Sequence, residues 1–534
     1  MKKALAVLIF FILLFLASAF ILKNWLEQNF AGIINDNSER RYNLSYQSLE
    51  INADFSGLKL DEVNIKPIDK EQKLILSGKA SKILIKDIHW HDLIFDKRAV
   101  IERMVFQRPK INIYLNENEL SQHSQEGMRF LLEDILERGN IKNFSIENGE
   151  MNIFNSDNKL LLAAVQSIDL NIDGLKTNQK LIDHLIPFHF KSLHFKCDDI
   201  TSQLDSLSTM YCQSVEYLSD AQEITIGKLQ LQHEKPLPEI SRIRKIQTDV
   251  IDAGFKKIKL SNIASTNFAD QLILYAGNME VDSLYFTSFR DKNLPRPPDE
   301  IKPMFLSVIK AIPWQLSVDT MQIKGSKISY LELPENGNTP GILSFENFYA
   351  SIYNFTTIED HQQTKKRVEG DIICNINGSG KMKAKLIVPY NDNYFWLQAS
   401  ITDIDALKLN KTLNPLLSID IMEMDWHTLH LQMHASKLSS KNEMTFEYEG
   451  LKLSVKDAQN QRKGFKSLLT NILVRTNNTA GKNNYLDASY QTIRNPYRGP
   501  FNLMWNSLKD GMLQIVPSKT AQKYVLKEKK EQHY

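Results

Sequence analysis

Cysteine is scarce in this chain of 534 residues: Cys197, Cys212 and Cys374 are its three cysteines, and no CxxC motif occurs. An odd count without such motifs argues against a disulfide scaffold and against a zinc ribbon. Cys197 and Cys212 could pair in an oxidising compartment, and their spacing leaves that possibility open. We therefore do not expect the fold to depend on a network of cross-links or on structural zinc.

Neither sign of charge is in excess. Lys and Arg number 65 and Asp and Glu number 63, which gives a formal net charge of +2 at pH 7. Proteins that bind nucleic acid carry a basic stripe, so we expect no nucleic-acid partner. Aromatic residues make up 9% of the chain and charged residues 24%, a composition typical of a folding sequence and not of a disordered one.

Motifs of catalysis and cofactor binding are missing as well, since GxSxG, HExxH, a P-loop and GxGxxG do not occur. His89 and His91 would share one face of a strand, and His427, His430 and His434 form a second group. The first pair has no acidic or cysteine partner at a convincing spacing for zinc. The second group has helix-like spacing in a segment that alternates as a strand, where His430 and His434 would lie on the hydrated face. We therefore predict no catalytic residue, no metal and no cofactor, and a protein that is not an enzyme.

Long hydrophobic runs are absent except at the N-terminus, where Ala4 to Leu22 carries no charge and follows Lys2 and Lys3. A run of about 19 apolar residues can just span a bilayer core, and lysines before it predict that the body lies outside. Ala17-Ser18-Ala19 resembles a signal-peptide cleavage site, although the apolar run continues past it. Whether the segment is a retained anchor or a cleaved signal peptide, the body of the protein is exported. We favour an anchor over residues 1–30, with a single span in the inner membrane and the body in the periplasm.

Alternation of apolar and polar residues dominates the remainder of the chain, and this period of two is typical of strands with one buried and one hydrated face. Turn signals such as Asn148-Gly149, Asn336-Gly337 and Asn377-Gly378 separate the alternating segments. The sequence thus predicts a mainly β fold built on an antiparallel sheet that is open to water on one side. Candidate residues of its apolar face are Ile111, Ile113, Leu115, Met382, Leu386, Val388, Leu429 and Leu431.

A few helices are predicted, over Met128 to Leu136, Ile240 to Val250 and Met304 to Ile312, with a longer amphipathic helix near the C-terminus. The apolar residues of this last helix recur every three or four positions from Phe501 to Ile515. In one interpretation the helix covers the end of the sheet. In the other it lies on a membrane surface, with Trp505, Leu508 and Met512 as the candidate membrane-surface residues.

The best candidate linker is the proline-rich stretch from Leu294 to Pro303. The predicted organisation is a membrane anchor over 1–30, an N-terminal β region over 31–293, a C-terminal β region over 304–500, and the amphipathic helix with a charged tail over 501–534. Pro187 to Phe195 and Pro313 to Ile323 form a weak internal echo. Such an echo suits duplicated sheet units, but any β-rich chain can show one.

Many weak motifs in a fixed order carry a resemblance to a known family. They are densest between residues 250 and 516, and they include Phe289 to Pro295, Ile312 to Trp314, Gly378 to Met382, Leu409 to Pro415 and Asn495 to Gly511. In these stretches the chain resembles the AsmA-like proteins of bacterial envelopes, in a form common in Bacteroidetes-type bacteria. Residues 197–222 match least, and no single motif is specific.

The resemblance implies an elongated, taco-shaped sheet rolled into an open groove with an apolar inside, as in bridge-like lipid carriers. The apolar candidates above would line that groove. The implied function is a non-enzymatic one: binding or transferring membrane lipids and supporting outer-membrane biogenesis and integrity. The alternative is a scaffold or assembly factor that pairs its edge strands with outer-membrane proteins. The expected partners are membrane lipids and, beside them, outer-membrane assembly or lipid-transport proteins.

Overall fold

The structure is a computed structural model, and it describes residues 20–32, 42–68, 75–89, 99–115, 139–176, 188–267, 272–455 and 474–518. The fold is mainly β, which confirms the expectation from alternation. The chain divides into two compact units. Unit 1 comprises Met1–Gly227 with Ser265–Leu272, and unit 2 comprises Lys228–Ala264 with Ile273–Tyr534.

Unit 1 contains one described helix, α1, over residues 20–32, followed by strands. The strands are β1 (Tyr42–Ser45), β2 (Ser48–Ile51), β3 (Gly57–Pro67), β4 (Ile75–Ile88), β5 (Ala99–Gln107), β6 (Lys110–Leu115), β7 (Gly139–Asn155), β8 (Leu161–Lys176), β9 (Ser192–Asp205), β10 (Ser208–Leu218) and β11 (Glu223–Ile226). β1 and β2 pair with β3, and β4 pairs with β3, β5 and β6, all antiparallel. β5 and β6 run parallel to β7, and each strand from β7 to β11 is antiparallel to the next.

Unit 2 mixes strands with short helices. They are β12 (Leu229–His233), α2 (Leu237–Arg244), β13 (Val250–Phe255), β14 (Lys257–Asn267), β15 (Leu272–Asp282), β16 (Tyr285–Asp291), α3 (Phe305–Lys310), β17 (Gln315–Leu333), β18 (Gly341–Thr356), α4 (Glu359–Lys365), β19 (Arg367–Ile376), β20 (Gly380–Pro389), β21 (Phe395–Thr402), a 3-10 turn (Ala406–Leu409), α5 (Asn410–Leu417), β22 (Ile419–Ala435), β23 (Ser439–Val455), β24 (Asp487–Ile493) and α6 (Pro500–Ile515). β13 pairs antiparallel with β12 and β16, β15 and β16 run parallel to β17, and β17 to β24 form an antiparallel meander.

Parallel pairs in both units correct the prediction of a purely antiparallel sheet. A parallel pair needs a long connection between its strands, whereas an antiparallel pair needs only a turn. The chain has such connections between β6 and β7 and between β16 and β17, and the second one contains α3. Alternation within a strand reports its two faces and not its direction relative to a neighbour, so the sequence pattern could not show this.

The two units repeat one arrangement, in which two consecutive strands lie end to end along one longer strand. In unit 1, β5 and β6 both pair with β7, and in unit 2, β15 and β16 both pair with β17. The break between the short strands falls at a residue with positive φ, Arg108 or Ser283. The amide of Arg108 donates to the Glu147 carbonyl (2.8 Å), and that of Ser283 donates to the Lys324 carbonyl (2.9 Å). The repeated arrangement makes β7 the counterpart of β17. The echo of Pro187 to Phe195 with Pro313 to Ile323 does not follow it, because its first copy leads into β9 and its second into β17.

Helix α1 packs on the core of unit 1. Leu26 and Phe30 contact the apolar cluster of β2 to β4, whose buried members include Ile51. The Ile51 amide donates to Glu27 Oε1 (3.0 Å), and the Ala31 amide donates to the hydroxyl of Tyr46 (3.1 Å). These contacts fix the chain that follows the predicted membrane span.

Most of the predicted span, Ala4 to Leu22, lies outside the described residues, as does the predicted helix over Met128 to Leu136. Among the helices that the structure describes, none combines the length and the apolar character needed to cross a bilayer. The membrane span therefore stays a prediction.

The other predicted helices are present. α3 and α6 occur where expected, whereas α2 ends at Arg244 because Lys245 turns into the left-handed conformation (φ 61°). α6 covers the apolar face of β22 to β24: Leu503 and Ile515 are completely buried, and Leu508 and Met512 pack on the same cluster as Phe446.

The proline-rich stretch from Leu294 to Pro303 lies inside unit 2. The side-chain amide of Gln247 donates to the carbonyls of Lys292 (3.0 Å) and Leu294 (2.9 Å), and the Lys302 amide donates to the Pro496 carbonyl (2.9 Å). These bonds tie the stretch to the surrounding strands. The two compact units divide between Gly227 and Lys228, and Ser265–Leu272 also belongs to unit 1.

Replacing Gly511 with alanine should weaken the docking of α6. A Cβ atom at Gly511 would lie 2.5 Å from Met444 Sδ and 2.5 Å from the Tyr490 hydroxyl oxygen. We expect the free energy of opening α6 to fall by about 1–2 kcal/mol, because the clash outweighs alanine's helix preference of about 1 kcal/mol. Hydrogen exchange of the α6 amides measures this opening.

Gly370→Ala, on β19, is the matched control, since a Cβ atom there would make only ordinary contacts, 3.9 Å from Ile352 Cγ1 and 4.0 Å from the Leu386 carbonyl oxygen. Exchange in the control should match the unmodified chain. Equal exchange in G511A and the unmodified chain would show that the helix sits further from β23 and β24 than described.

Candidate functional site

Apolar side chains follow one another from strand to strand in unit 1. Residues paired directly across neighbouring strands point to the same face of a sheet, so paired positions can be read as rows. We call four of these sets the apolar rows. Row A is Ile146, Leu170, Phe195, Tyr217 and Ile224; row B is Ile168, Cys197, Val215 and Ile226; row C is Ile111, Met151, Val165, Ile200 and Cys212; row D is Ile113, Ile153, Ala163, Ser202 and Met210.

Most side chains of the apolar rows are half-buried, although all of them except Ser202 are apolar and they lie in the interior of a sheet. Cys197 and Cys212 are the fully buried members. Ile146 and Leu170, at one end of row A, pack against the core that α1 covers. Within the part of unit 1 that the structure describes, α1 is the sole helix. By their own partial exposure, the other members of the apolar rows present accessible hydrocarbon.

Opposite rows A and B, the other face of β8 to β10 is polar. Asp169, Lys196 and Glu216 are paired in succession across β8, β9 and β10. His194 Nε2 lies 3.0 Å from Glu216 Oε1, and Lys196 forms an ion pair with Asp198 at 3.0 Å. Polar and charged groups favour contact with water, whereas apolar side chains are more stable away from it, so this part of the sheet is amphipathic. Beside row D the opposite face instead carries the stacked rings of Tyr114 and Phe154, 5.3 Å apart.

Unit 2 has a comparable apolar face that its own helices cover in part. One row crosses it through Ile323, Ala350, Ile372, Ala384, Ala399, Leu431, Met444 and Ala488. At β22 to β24 this row is buried beneath α6. At β19 to β21 its members Ile372, Ala384 and Ala399 are half-buried, so hydrocarbon is accessible there as well.

The predicted residues of unit 1 fall into the apolar rows. Ile111 lies in row C and Ile113 in row D, and both are half-buried. Leu115, at the end of β6, is buried. The pairing of β6 with β7 brings Ile111 beside Met151 and Ile113 beside Ile153.

The predicted residues of unit 2 divide into two environments. Met382 and Leu386 are half-buried on β20. Val388, Leu429 and Leu431 are buried in clusters filled by the protein's own side chains. Met382 joins Leu429 and Leu431 in one cluster, and Leu386 joins Val388 in another.

The three membrane-surface candidates are also separated. Leu508 and Met512 face the core of unit 2, packed on the cluster that contains Phe446. Trp505 is exposed, as is Phe501 one turn before it.

Sequence reasoning missed most members of rows C and D, notably Met151, Val165 and Ile200. The cause lies in the backbone. Asn148 and Asp199 have positive φ, and the pairing of β7 with β8 shifts register near Gly149. Such irregularities break the period of two, which is the signal that alternation provides.

The histidines do not form a metal site in the part of the chain that is described. His430 and His434 lie on the exposed face of β22, and the ring of His434 stacks on Trp396 at 5.2 Å. His91 lies outside the described residues. No group of three or more His, Cys, Asp or Glu side chains able to hold a metal occurs among the described residues.

A cluster of charged and polar side chains joins β16 to its neighbours. Arg290 donates two hydrogen bonds to Asp249 (2.8 and 2.6 Å), Lys292 pairs with Glu332, and the Tyr330 hydroxyl donates to Glu332 (2.7 Å). Burial, reinforced by the Glu332 carboxylate, raises the pKa of Tyr330 far above its usual range. Each of these charged or polar side chains has a partner within the cluster. The cluster therefore stabilises the parallel pair β16–β17, and none of its side chains is left free to act as an acid or a base.

Comparison with known proteins does not assign the chain to a family. No family model matches the chain, and no curated protein matches it either. The resemblance to AsmA-like proteins therefore rests on the sequence motifs alone and stays a prediction.

The three thiols should be inert in the folded protein. All are free and buried, and burial raises the pKa of Cys197 and of Cys374 to about 11. At pH 8 their thiolate fraction is then about 100-fold below that of a thiol of pKa 9, and the rate of alkylation should fall at least as far. Below pH 11 the rate should rise about tenfold for each pH unit.

Iodoacetamide labelling followed by mass spectrometry measures this rate, and guanidinium-unfolded protein is the control, in which all three thiols should react. Cys197 pairs with Val215 and Cys212 with Ile200, so their Cα atoms lie about 10 Å apart, too far for a disulfide. A Cys197–Cys212 disulfide, or rapid labelling of the native chain, would contradict this packing.

Proposed function

We propose that this protein is a non-enzymatic lipid-binding protein of the bacterial envelope, which carries acyl chains on the apolar rows. It is held in the inner membrane by its N-terminal segment, with its body in the periplasm, and it supports outer-membrane biogenesis and integrity by binding or transferring membrane lipids. The observation that carries the proposal is the set of half-buried apolar side chains paired from β6 to β11, with a polar face behind them on β8 to β10. The family resemblance and the apolar N-terminal run support the localisation.

The dimensions of the rows suit an acyl chain. Row C crosses β6 to β10, and neighbouring strands lie about 4.8 Å apart, so the row is about 19 Å long. The lipid tails of one leaflet fill about 15 Å, half of a bilayer core. A row can therefore accommodate the length of one tail across the strands.

The free energy also favours such a ligand. Transfer of a CH2 group from water to an apolar surface gains about 0.8 kcal/mol, so a tail of about 16 carbons gains on the order of 10 kcal/mol when fully covered. Part of this gain is offset by ordering the tail and by incomplete burial. The balance is favourable for a tail that covers several row members at once, and it needs no charged contact.

Photocrosslinking tests the proposal directly. With benzoylphenylalanine at Ile200, in row C, the full-length chain should form covalent adducts with phospholipid in living cells, because the probe faces the tail. Mass spectrometry of the purified protein measures the adduct. With the same probe at Gln213, which is exposed, adducts should be at least several-fold fewer. Adducts with outer-membrane proteins and none with lipid would favour the assembly-factor alternative.

A charge in row C should reduce lipid binding. In Val165→Asp the carboxylate would have to be desolvated beneath the tail, and we expect several-fold less co-purifying phospholipid than in the unmodified chain. Gln166→Asp adds the same charge at the adjacent, exposed position and should retain lipid. Ala163→Trp fills row D without adding a charge and should also lower the lipid content. A loss of lipid in both variants would show that the loss in V165D does not come from a folding defect. Folded protein that carries no lipid, or equal lipid in V165D and Q166D, would contradict the proposal.

A further inference from the structure

Three segments of unit 2 are drawn together around Arg494. This side chain is buried, and its guanidinium donates to the carbonyls of Lys302 (2.5 Å), Lys437 (3.1 Å) and Arg498 (3.1 Å). The Arg494 amide donates to the Leu438 carbonyl (2.8 Å). The chain before α3, the turn between β22 and β23, and the chain before α6 therefore meet at one place.

Large apolar side chains project into solvent from these segments, from the end of β24 and from the first two turns of α6. Their exposed fractions lie between 37% and 79%, the latter for Leu438. We call this set the apolar rim: Ile301, Leu438, Ile493, Tyr497, Phe501 and Trp505. A single exposed apolar residue is ordinary on a protein surface, but several on segments that meet mark an interaction site.

The charges around the apolar rim are predominantly basic. The same segments carry four basic residues, Arg296, Lys302, Lys437 and Arg498, against two carboxylates, Asp299 and Glu300. Glu300 is paired with Lys302. A surface that combines Trp, Tyr and aliphatic residues with Lys and Arg is complementary to a bilayer interface that contains anionic headgroups.

We propose that the apolar rim docks on the surface of a bilayer that contains anionic phospholipid. Phe501, Trp505 and Leu438 enter the boundary between headgroups and acyl chains, and Lys437 and Arg498 contact the headgroups. The contact differs from a helix lying flat on the membrane, because Leu508 and Met512 face the protein core. The start of α6 and two neighbouring segments make it instead. This docking does not depend on a lipid cargo in unit 1.

A polarity-sensitive dye on Leu438→Cys tests the docking. The three native cysteines are buried, so the dye attaches selectively at the new thiol. Full-length protein is placed in nanodiscs of phosphatidylcholine, alone or with about 30% phosphatidylglycerol, and vesicles of the same two compositions are added. We expect a blue shift of the emission whenever anionic lipid is present in either membrane, and a several-fold smaller shift without it. High salt should reduce the shift.

Leu204→Cys is the matched control, because Leu204 is also an exposed leucine, 53% exposed, but belongs to unit 1. Its dye should not respond. In the L438C background, Trp505→Ser should weaken the apparent affinity for anionic vesicles about tenfold, since a large apolar side chain no longer inserts. Lys437→Glu should weaken it as well, and V165D should leave it unchanged.

Three results would overturn the proposal. The first is a dye at residue 438 that responds no more than the dye at residue 204. The second is an equal response to neutral and anionic membranes. The third is a shift that grows with protein concentration when no vesicles are added, which would assign the apolar rim to contact with a second copy of the chain.

Discussion

A long sheet with one apolar and one polar face must have its apolar face covered, and this requirement governs the rest of the structure. Each strand alternates, so every cross-strand pair adds hydrocarbon to one face and hydrogen-bonding groups to the other. In row A the apolar set continues from Ile146 to Ile224 without a polar side chain facing the same way, apart from the Tyr217 hydroxyl. The apolar face can be covered by helices, by a second sheet or by a ligand.

The two units meet this requirement differently although they share the arrangement of two short strands along one long strand. In unit 2, α3, α5 and α6 lie on the apolar face, and residues such as Leu429 and Val388 become completely enclosed. In unit 1 the described helix α1 covers the β2–β4 end, and the apolar rows beyond it stay half-buried. The same strand pattern thus yields a packed core in one place and accessible hydrocarbon in another. Accessible hydrocarbon is the feature on which a lipid-binding function depends.

The sequence predicts which residues point to the apolar face, but it does not predict what covers that face. Ile111 and Leu429 have the same alternating surroundings, yet the first is half-buried and the second is enclosed beneath α6. The difference arises from contacts between residues far apart in the chain, which periodicity cannot encode. The α6 helix itself was predictable from its spacing and its flanking prolines. The parallel pairs and the irregularities at Asn148 and Asp199 were not predictable. Alternation carries no information on the direction of a strand, and a residue with positive φ interrupts the period of two without showing which residues then share a face.

The contact between α6 and the sheet determines which part of unit 2 could be open to a ligand. Its centre is polar: Ser507 Oγ lies 2.8 Å from Ser440 Oγ, Thr492 donates to Asp510 (2.9 Å), and the Tyr490 hydroxyl donates to the Ser507 carbonyl (2.6 Å). A lipid tail that displaced α6 would leave these buried groups without partners, each at a cost of about 1–3 kcal/mol. Hydrocarbon can replace hydrocarbon at little loss, but it cannot replace hydrogen bonds. The polar centre therefore keeps α6 docked, so that in unit 2 the half-buried side chains of β19 to β21 are the ones left for an apolar ligand, as the apolar rows are in unit 1.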